Sequence, residues 1–279
     1  MNGKLYRGMA LLLLAALALA ALAGCAGTGQ GKVLKVGMEL MYPPFETKDD
    51  AGNPSGVSID LAKAFAKSMG MEAQIENIAW DGLIPSLQTG KVDVIISSMT
   101  INDTRKEQVD FSNPYAKAYL ALLVGKNSPV QQAEDLNQAG RVIAVKQGST
   151  GDSYARKNFP NATVNAFDSE NACVMEVSQG KADVFIYDQL TIYRNSVQFA
   201  DTTRVMYIPS QDAEGWGMAF QKGSKLTEKA NAFLKDFTAD GGFDTLTDAH
   251  LKKEKEMFNQ LGFAFFFADK SGNWTAVGK

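Results

Sequence analysis

The feature that most constrains this fold is a regular alternation of short apolar strands with amphipathic helices. In the first half, strands are predicted at Val33–Met38, Ala73–Ile78 and Val92–Ser97, and the segments between them have the apolar spacing of helices. The longest of these helical segments has Ser58 as its candidate N-cap and Gly70 as its stop. Such alternation predicts an α/β architecture with largely parallel sheets.

The second half repeats this order. Its predicted elements are strands at Arg141–Val145, Thr163–Phe167 and Ala182–Tyr187, and helices at Gly151–Asn158 and Ser169–Gln179. The two halves also share a similar short segment, an internal echo: Gln88–Ile96 reads QTGKVDVII and Ser178–Ile186 reads SQGKADVFI. Helix–Gly–strand junctions can look alike by chance. The sharper interpretation is two lobes built on one βαβ plan, with a cleft between them.

The N-terminus carries the evidence on localisation. Lys4 and Arg7 form a basic start, and the apolar run Met9–Ala23 follows. That run is shorter than the roughly 20 residues a membrane span needs, and it suits the apolar core of a secretory signal. We therefore expect an extracytoplasmic protein.

Small residues lead to a cysteine at the end of this run, in Leu22–Cys25. The pattern resembles the bacterial lipobox, in which the cysteine is acylated and the chain is cut before it. We expect residues 1–24 to be a lipoprotein signal peptide, Cys25 to be lipidated, and residues 25–32 to be a flexible tether. The alternatives are an ordinary signal with a chance cysteine, or an uncleaved anchor.

Composition excludes several classes of function. The formal net charge is −3 and no basic patch is present, so no nucleic-acid partner is expected. Apart from Cys25 the only cysteine is Cys173, which leaves no intrachain disulfide; we expect it to be buried. The single histidine, His250, lies in a polar stretch, so neither a Ser–His pair nor a metal site is predicted. No cofactor is expected.

Ligands of open α/β sheets bind outside the carboxyl ends of the strands, so the residues there are the candidates for function. After the first strand come Glu39 and a loop that Pro43 and Pro44 stiffen, which presents Tyr42 and Phe45. This loop could also be a turn that packs both aromatic rings into the core. Trp80 follows the next strand and could line the cleft as an apolar wall or cap the core.

The third strand is followed by hydroxyl-bearing residues and an arginine. Ser97, Ser98 and Thr100 precede Arg105, which lies on a short predicted helix. Hydroxyls, free backbone N–H groups and a planar guanidinium together form an anion site suited to a carboxylate. Alternatively, Arg105 forms a surface pair with Asp103 or Glu107.

The second half supplies complementary groups. Ser149 and Thr150 open a helix after a strand, and helix N-termini favour anions. Asp188 directly follows another strand, where it could hold a ligand ammonium or act as the N-cap of the next helix. An anion clamp, a carboxylate and aromatic walls are the chemical complement of a zwitterion, and no activated nucleophile is evident.

Several strings of this chain resemble the bacterial solute-binding proteins of polar amino-acid ABC importers. They are YPPFE at Tyr42–Glu46, GVSIDLAKAFAKSMG at Gly56–Gly70, WDGLIPSLQTGKVDVIISSMTINDTRKEQVDFSNPY at Trp80–Tyr115, VKQGST at Val145–Thr150 and ADVFIYD at Ala182–Asp188. The resemblance spans roughly residues 33–267, and the longest string is the specific one. Asn102 departs from the threonine that is common there.

The resemblance implies a two-lobed periplasmic-binding-protein fold of type II, each lobe a mixed sheet flanked by helices, hinged by two crossovers. Lobe 1 would comprise residues 33–117 and 214–267, lobe 2 residues 118–213, and residues 268–279 a C-terminal tail. It also implies closure on the ligand like a hinged trap. The expected partners are a free amino acid, the ABC permease of the importer, and the membrane through lipidated Cys25; we expect a monomer.

The resemblance also assigns roles to site residues. Arg105 would bind the ligand α-carboxylate, helped by backbone N–H groups at Thr100 and Thr150, and Asp188 with Ser98 and the Thr100 hydroxyl would hold the α-ammonium. Tyr42 and Trp80 would sandwich the side chain. These roles predict ligand-binding residues at Glu39, Tyr42, Trp80, Ser97, Ser98, Thr100, Arg105, Ser149, Thr150 and Asp188.

Glu39 stands where the family often places a side-chain-reading carboxylate, which favours arginine, lysine, histidine or glutamine as ligand. Two other classes compete with transport. One is a sensory module using the same cleft; the other is an enzyme similar to the dehydratases of prephenate-like acids, which would need a general acid in the cleft. Asp188 fits ligand recognition instead, so we expect no enzyme.

Overall fold

The computed structural model describes residues 32–208 and 212–274. Its β-strands are β1 (Val33–Met38), β2 (Thr47–Lys48), β3 (Pro54–Ser55), β4 (Glu72–Asn77), β5 (Val94–Ile95), β6 (Asp110–Phe111), β7 (Ala116–Ala118), β8 (Leu120–Gly125), β9 (Val142–Lys146), β10 (Thr163–Phe167), β11 (Val184–Asp188), β12 (Thr203–Tyr207), β13 (Glu214–Trp216) and β14 (Ala219–Phe220). The α-helices of the described residues are α1 (Val57–Ser68), α2 (Leu83–Gln88), α3 (Asp103–Gln108), α4 (Thr150–Asn158), α5 (Glu170–Ser178), α6 (Gln189–Gln198), α7 (Leu226–Ala239), α8 (Gly242–His250) and α9 (Lys252–Leu261).

Two five-stranded mixed sheets organise the molecule. The first has the order β4-β1-β5-β14-β6 and the second the order β10-β9-β11-β8-β12. In the first sheet, β4 and β5 both pair parallel with β1, and in the second sheet β10 and β11 both pair parallel with β9. The remaining pairings are antiparallel. The sequence echo falls on the same junction of both sheets, from α2 into β5 and from α5 into β11. The two-lobed α/β fold predicted from the sequence is confirmed; the first lobe contains the first sheet and the second lobe contains the second sheet.

The chain crosses between the two sheets twice. It leaves the first lobe through β7 and returns through β13, and these two strands pair antiparallel, Glu214 with Ala118 and Trp216 with Ala116. β13 is continued by the bridge between Thr100 and Trp216, which ties the crossover to the loop after β5. The crossover pair therefore lies beside the predicted site residues.

Several predicted boundaries shift by one or two residues, for example from Ala182–Tyr187 to Val184–Asp188, and two others differ for a clear physical reason. Ser58 is the second residue of α1, and the N-cap is Gly56, which has φ 120° and leaves no room for a side chain, since a Cβ there would lie 2.4 Å from the carbonyl oxygen of Phe45. The strand predicted at Val92–Ser97 is paired only over Val94–Ile95. Its predicted first residue, Val92, still donates its N–H to the Ser86 carbonyl of the preceding helical turn.

The first lobe has an aromatic core that extends to the C-terminal segment. Phe266 is fully buried, lies 4.9 Å from the ring of Phe45 and stacks on Trp216 at 5.7 Å. Its carbonyl accepts the N–H of Lys117 on the crossover strand β7. Farther on, the ammonium of Lys117 lies 4.6 Å from the ring of Trp274. The C-terminal segment therefore packs on the crossover.

Some expectations about the N-terminus lie outside the described residues. These are the signal peptide at residues 1–24, lipidated Cys25 and most of the tether. Within residues 32–208 and 212–274, no helix combines the length and the apolar character that crossing a bilayer requires. Cys173 is buried with a free thiol, as expected, and burial raises its pKa to about 12.

Candidate ligand-binding cleft

The residues that follow the parallel strands of both sheets meet in one cleft between the lobes. It contains about 470 Å³ of space that no atom fills, part of it open to solvent. All ten residues predicted as ligand-binding line it, together with four that sequence reasoning did not single out, Glu46, Tyr187, Glu214 and Trp216. The ten residues therefore share one cleft, and their role in ligand binding stays a prediction.

Arg105 is a buried cation at one end of the cleft. Its helix, α3, begins at Asn102, whose side-chain oxygen accepts the Arg105 N–H at 2.9 Å, so this departure from the family pattern is a good N-cap. The guanidinium donates to the carbonyls of Thr100 at 2.8 Å and Gly148 at 3.1 Å. Burial lowers its pKa to about 10, which leaves it charged at neutral pH. The alternative surface pair with Asp103 or Glu107 is wrong.

Helix α4 directs its N-terminus into the cleft close to Arg105. Ser149 is its N-cap and accepts the N–H of Asp152 at 3.2 Å. The helix lies directly on β11, because Gly151 has no side chain; a Cβ there would be 2.2 Å from the carbonyl oxygen of Ile186. The free N–H groups and the dipole of α4 therefore favour an anion beside the guanidinium.

A carboxylate that sequence reasoning missed lies beside this anion site. Glu214, on the crossover strand β13, accepts the hydroxyl of Thr100 at 3.1 Å and that of Thr150 at 2.8 Å on the same oxygen, Oε2. Burial raises its pKa, while both hydroxyls and the charge of Arg105 oppose the rise. The sequence signal was an acidic residue two positions before Trp216, outside the strand ends that were searched.

Asp188 lies in the same cleft on the second lobe, and its two carboxylate oxygens differ in their contacts. It is the N-cap of α6, and its Oδ1 accepts the N–H groups of Leu190 at 3.1 Å and Thr191 at 3.2 Å. Its other oxygen, Oδ2, is buried and has no hydrogen-bond partner among the described residues. Burial raises its pKa to about 6, and the rise is opposed by Thr191 and by the Tyr42 hydroxyl, which is close to Asp188 but outside hydrogen-bonding geometry. The N-cap interpretation of Asp188 is confirmed, and its role in holding a ligand ammonium stays a prediction for Oδ2.

Aromatic rings form the walls. Tyr42 stacks on Phe45 at 5.5 Å and meets Tyr187 and Trp216 edge-on at 6.3 and 5.9 Å. Phe45 is fully buried, so the stiff loop packs one ring into the core and turns the other to the cleft. Trp80 donates its indole N–H to the Gly148 carbonyl at 3.2 Å, which fixes its ring between the lobes.

Glu39 is already paired with a cation of the protein. Its carboxylate binds the ammonium of Lys146 on the second lobe and accepts the backbone N–H of Trp80 at 3.3 Å. Lys146 also lies 2.8 Å from Glu170, which accepts the Tyr187 hydroxyl at 2.8 Å. Burial alone would lower the pKa of Lys146, but the two carboxylates raise it above its ordinary value, so it stays charged.

The side chains of the two serines after β5 form hydrogen bonds with other residues of the protein. Ser97 accepts the N–H of Glu39 at 3.0 Å, and Ser98 donates to Glu46 at 3.1 Å. Glu46 also accepts the Ser58 hydroxyl at 2.5 Å, and burial raises its pKa to about 8, so this carboxyl is neutral at pH 7. Ser98 adopts φ 47°, a left-handed conformation that is uncommon outside glycine. Its side chain serves to position Glu46 in this geometry.

Metal chemistry has no support in this cleft. Among residues 32–208 and 212–274, no group of three or more His, Cys, Asp or Glu side chains is arranged to hold a metal ion. The carboxylates of the cleft bind hydroxyls, N–H groups and cations of the protein instead. The geometry is that of a recognition site for a small charged molecule.

The chain was compared with known proteins. The model of the bacterial extracellular solute-binding proteins, family 3, matches residues 34–253. The chain belongs to this family. Within it, the chain is 31% identical over 256 residues to a probable histidine-binding protein of Neisseria gonorrhoeae, an alignment that covers 86% of this chain and 95% of the relative.

Two further family members bear on the ligand. The arginine-binding extracellular protein ArtP of Bacillus subtilis is 31% identical over 254 residues, which cover 88% of this chain and 98% of the relative. The crystal structure of an ancestral amino acid-binding protein, a precursor of cyclohexadienyl dehydratase, superposes with a TM-score of 0.71 at 36% identity, covering 78% of this chain and 95% of that one. Both relatives are named as binding proteins, and the structural match shows that this chain has the type II periplasmic-binding-protein fold.

Proposed function

We propose that this protein captures a free L-amino acid for an ABC importer. The observation that carries the proposal is the buried, unpartnered Oδ2 of Asp188 in the cleft that Arg105 also lines. Buried carboxylate oxygens are generally hydrogen-bonded, so this one calls for a donor that the described residues do not supply. An α-ammonium on Asp188 and an α-carboxylate on Arg105 would make a zwitterion the natural ligand.

The side chain of the ligand would meet the cluster of Glu39, Lys146 and Glu170. The ammonium of Lys146 neutralises one negative charge, so the cluster keeps a net charge of −1 when both glutamates are ionised. An acidic side chain would add a like charge, whereas a basic or amide side chain would find an acceptor. We therefore favour arginine, lysine, histidine or glutamine, in keeping with relatives named for histidine and arginine.

Ligand capture would stabilise the closed arrangement of the lobes. Arg105 lies on the first lobe and Asp188 on the second, so one bound zwitterion contacts both. Trp80 and Arg105 already donate to the Gly148 carbonyl across the cleft, and Lys146 reaches Glu39. A ligand that makes both of its contacts only in the closed arrangement stabilises that arrangement by its differential affinity.

Transport also needs a place at the membrane. We propose that Cys25 is acylated and that the following residues tether the receptor near its permease, outside the cytoplasm. A single acyl chain anchors only weakly, so stable anchoring requires more than one. Mass spectrometry of the protein purified from membranes tests this point: diacylated or triacylated Cys25 supports it, and an unmodified Cys25 contradicts it.

An enzyme is the second candidate, because one structural relative is a precursor of a dehydratase. The chemistry would need a proton donor in the cleft. Asp188, with a pKa of about 6, is mostly ionised at pH 7, and Glu46, which is neutral there, has its Oε2 engaged by the hydroxyls of Ser58 and Ser98. The amino-acid receptor is favoured because an ionised Asp188 complements an ammonium. Turnover of prephenate or arogenate by the purified protein would overturn this preference.

The decisive test is a calorimetric titration of protein that has been unfolded, washed and refolded to remove any bound molecule. We expect one or a few of the twenty amino acids to bind tightly, from the group of arginine, lysine, histidine and glutamine. Binding restricted to aspartate or glutamate would contradict the assignment of the side-chain pocket. Absence of binding by all twenty would contradict the function itself.

A further inference from the structure

We propose that Glu214 is an internal competitor of the ligand: its carboxylate occupies the subsite for the ligand α-carboxylate and has to be displaced when an amino acid binds. This inference rests on the proposed function. It adds an affinity-determining residue that does not contact the ligand's side chain.

Glu214 bonds the side chains of the two threonines whose backbone N–H groups are expected to bind an α-carboxylate. Its Oε2 takes hydroxyl protons from Thr100, on the first lobe, and Thr150, the first residue of α4 on the second. Thr100 also supplies the carbonyl that holds the Arg105 guanidinium at 2.8 Å. Glu214 therefore lies among the groups that form the anion site.

The charge balance makes the same point. In its described hydrogen bonds the guanidinium of Arg105 donates only to carbonyl oxygens, so no directly bonded carboxylate neutralises its charge. Glu214 acts on it through space and favours its charged form. A ligand α-carboxylate arriving at Arg105 would face the Glu214 carboxylate across the same two hydroxyls, and like charges at one site are costly.

The position of Glu214 on the fold gives the competition a second consequence. It lies on β13, a strand through which the chain passes between the lobes, and one oxygen joins a hydroxyl from each lobe. In the ligand-free protein Glu214 would thus hold the lobes together. A ligand would take over both hydroxyls and leave the closed arrangement in place.

The variant Glu214→Gln tests the competition, because it removes the charge and keeps the size of the side chain. Arginine, lysine, histidine and glutamine are titrated calorimetrically into wild type and variant, each also as its α-carboxamide. We expect the variant to bind the preferred amino acid about tenfold more tightly, an estimate for relieving one like-charge contact. For the carboxamide, which lacks the charge, the gain should fall below about twofold. Glu107→Gln, an exposed change on α3, is the matched control.

The outcomes separate this inference from the function on which it rests. Weaker binding by Glu214→Gln would mean that Glu214 contacts the ligand favourably, and an equal gain for acid and amide would mean that no carboxylate is displaced; either result overturns the inference. If no amino acid binds either protein, the proposed function fails. Small-angle scattering of ligand-free protein then remains a test, since Glu214→Ala should show a larger radius of gyration than wild type, and an unchanged radius contradicts the inference.

Discussion

The polar groups at the two ends of the cleft differ in whether they have hydrogen-bond partners within the protein. At the Arg105 end, the guanidinium bonds two carbonyls and the hydroxyls of Thr100 and Thr150 bond Glu214. At the other end, Oδ2 of Asp188 and the hydroxyl of Tyr42 are buried with no hydrogen-bond partner among the described residues. On the proposed assignment, a ligand ammonium would gain a contact at one end without breaking any, while its carboxylate would enter by exchange at the other.

The largest expected effect is the loss of the guanidinium. Arg105→Ala leaves the ligand α-carboxylate buried without its cation, which should weaken amino-acid binding by about 4 kcal/mol. Arg156→Ala, whose side chain is about half exposed on α4, should change binding by less than about 0.5 kcal/mol. Calorimetry on both variants checks this. Near-normal affinity of Arg105→Ala would place the carboxylate elsewhere.

The next effect isolates the charge of Asp188. Asn is as good an N-cap as Asp, so Asp188→Asn should keep α6 intact while removing the negative charge. Binding should weaken by about 3 kcal/mol, because a buried ammonium loses its counter-charge. Circular dichroism verifies the fold and calorimetry the affinity, with the exposed Asp201→Asn as control. Unchanged affinity with an intact fold would assign the ammonium to another group.

Glu46, a third carboxyl of the cleft, differs from Asp188 in its charge. Glu46 is neutral at pH 7, whereas Asp188 is mostly ionised. Burial raises the pKa of Glu46 from 4.5 to about 8. Its contribution to stability is therefore fully present below about pH 4.5 and is lost as the pH rises through about 8.

Between pH 6 and 7.5 this linkage should cost the wild type about 2 kcal/mol of unfolding free energy. Glu46→Gln, neutral throughout, should lack that loss. Urea unfolding at both pH values measures the difference, with exposed Glu228→Gln as the control. Parallel pH profiles for wild type and Glu46→Gln would show that Glu46 is ionised in the folded protein.

The smallest effect is the pH dependence of binding. A ligand ammonium needs ionised Asp188, whose pKa is about 6 in the ligand-free cleft. Affinity should therefore fall about fourfold from pH 7.5 to pH 5.5, with proton release on binding at the lower pH. Calorimetry in two buffers of different ionisation enthalpy detects both. Affinity that rises toward pH 5.5 would contradict this role of Asp188, and Asp188→Asn should show a flat profile.

The sequence predicted what depends on local pattern. Strands such as Val33–Met38 and Thr163–Phe167 have the predicted bounds, because their local apolar pattern specifies them. The rule that ligands bind at strand ends collected ten cleft residues from both halves of the chain. The boundary at Ser58 was wrong because tertiary packing of Gly56 against the proline loop decides where α1 begins.

What the sequence could not show are contacts between residues far apart in the chain. Glu39 and Lys146 are 107 positions apart, and their pairing depends on how the lobes meet. Glu214 was missed for the same reason, since it reaches Thr100 over 114 positions. An unpaired carboxylate and a paired one look alike in sequence, so the contrast between the two ends of the cleft required the structure.

The most direct test of the zwitterion site compares three ligands on one protein. The amino acid that binds most tightly is titrated beside its analogue without the carboxylate and its analogue without the amino group. We predict that each analogue loses at least about tenfold in affinity, with the larger loss for the analogue without the amino group, because its absence leaves Asp188 unpaired and an analogue without the carboxylate does not have to displace Glu214. If either analogue binds as tightly as the amino acid, the central assignment of Arg105 and Asp188 is contradicted.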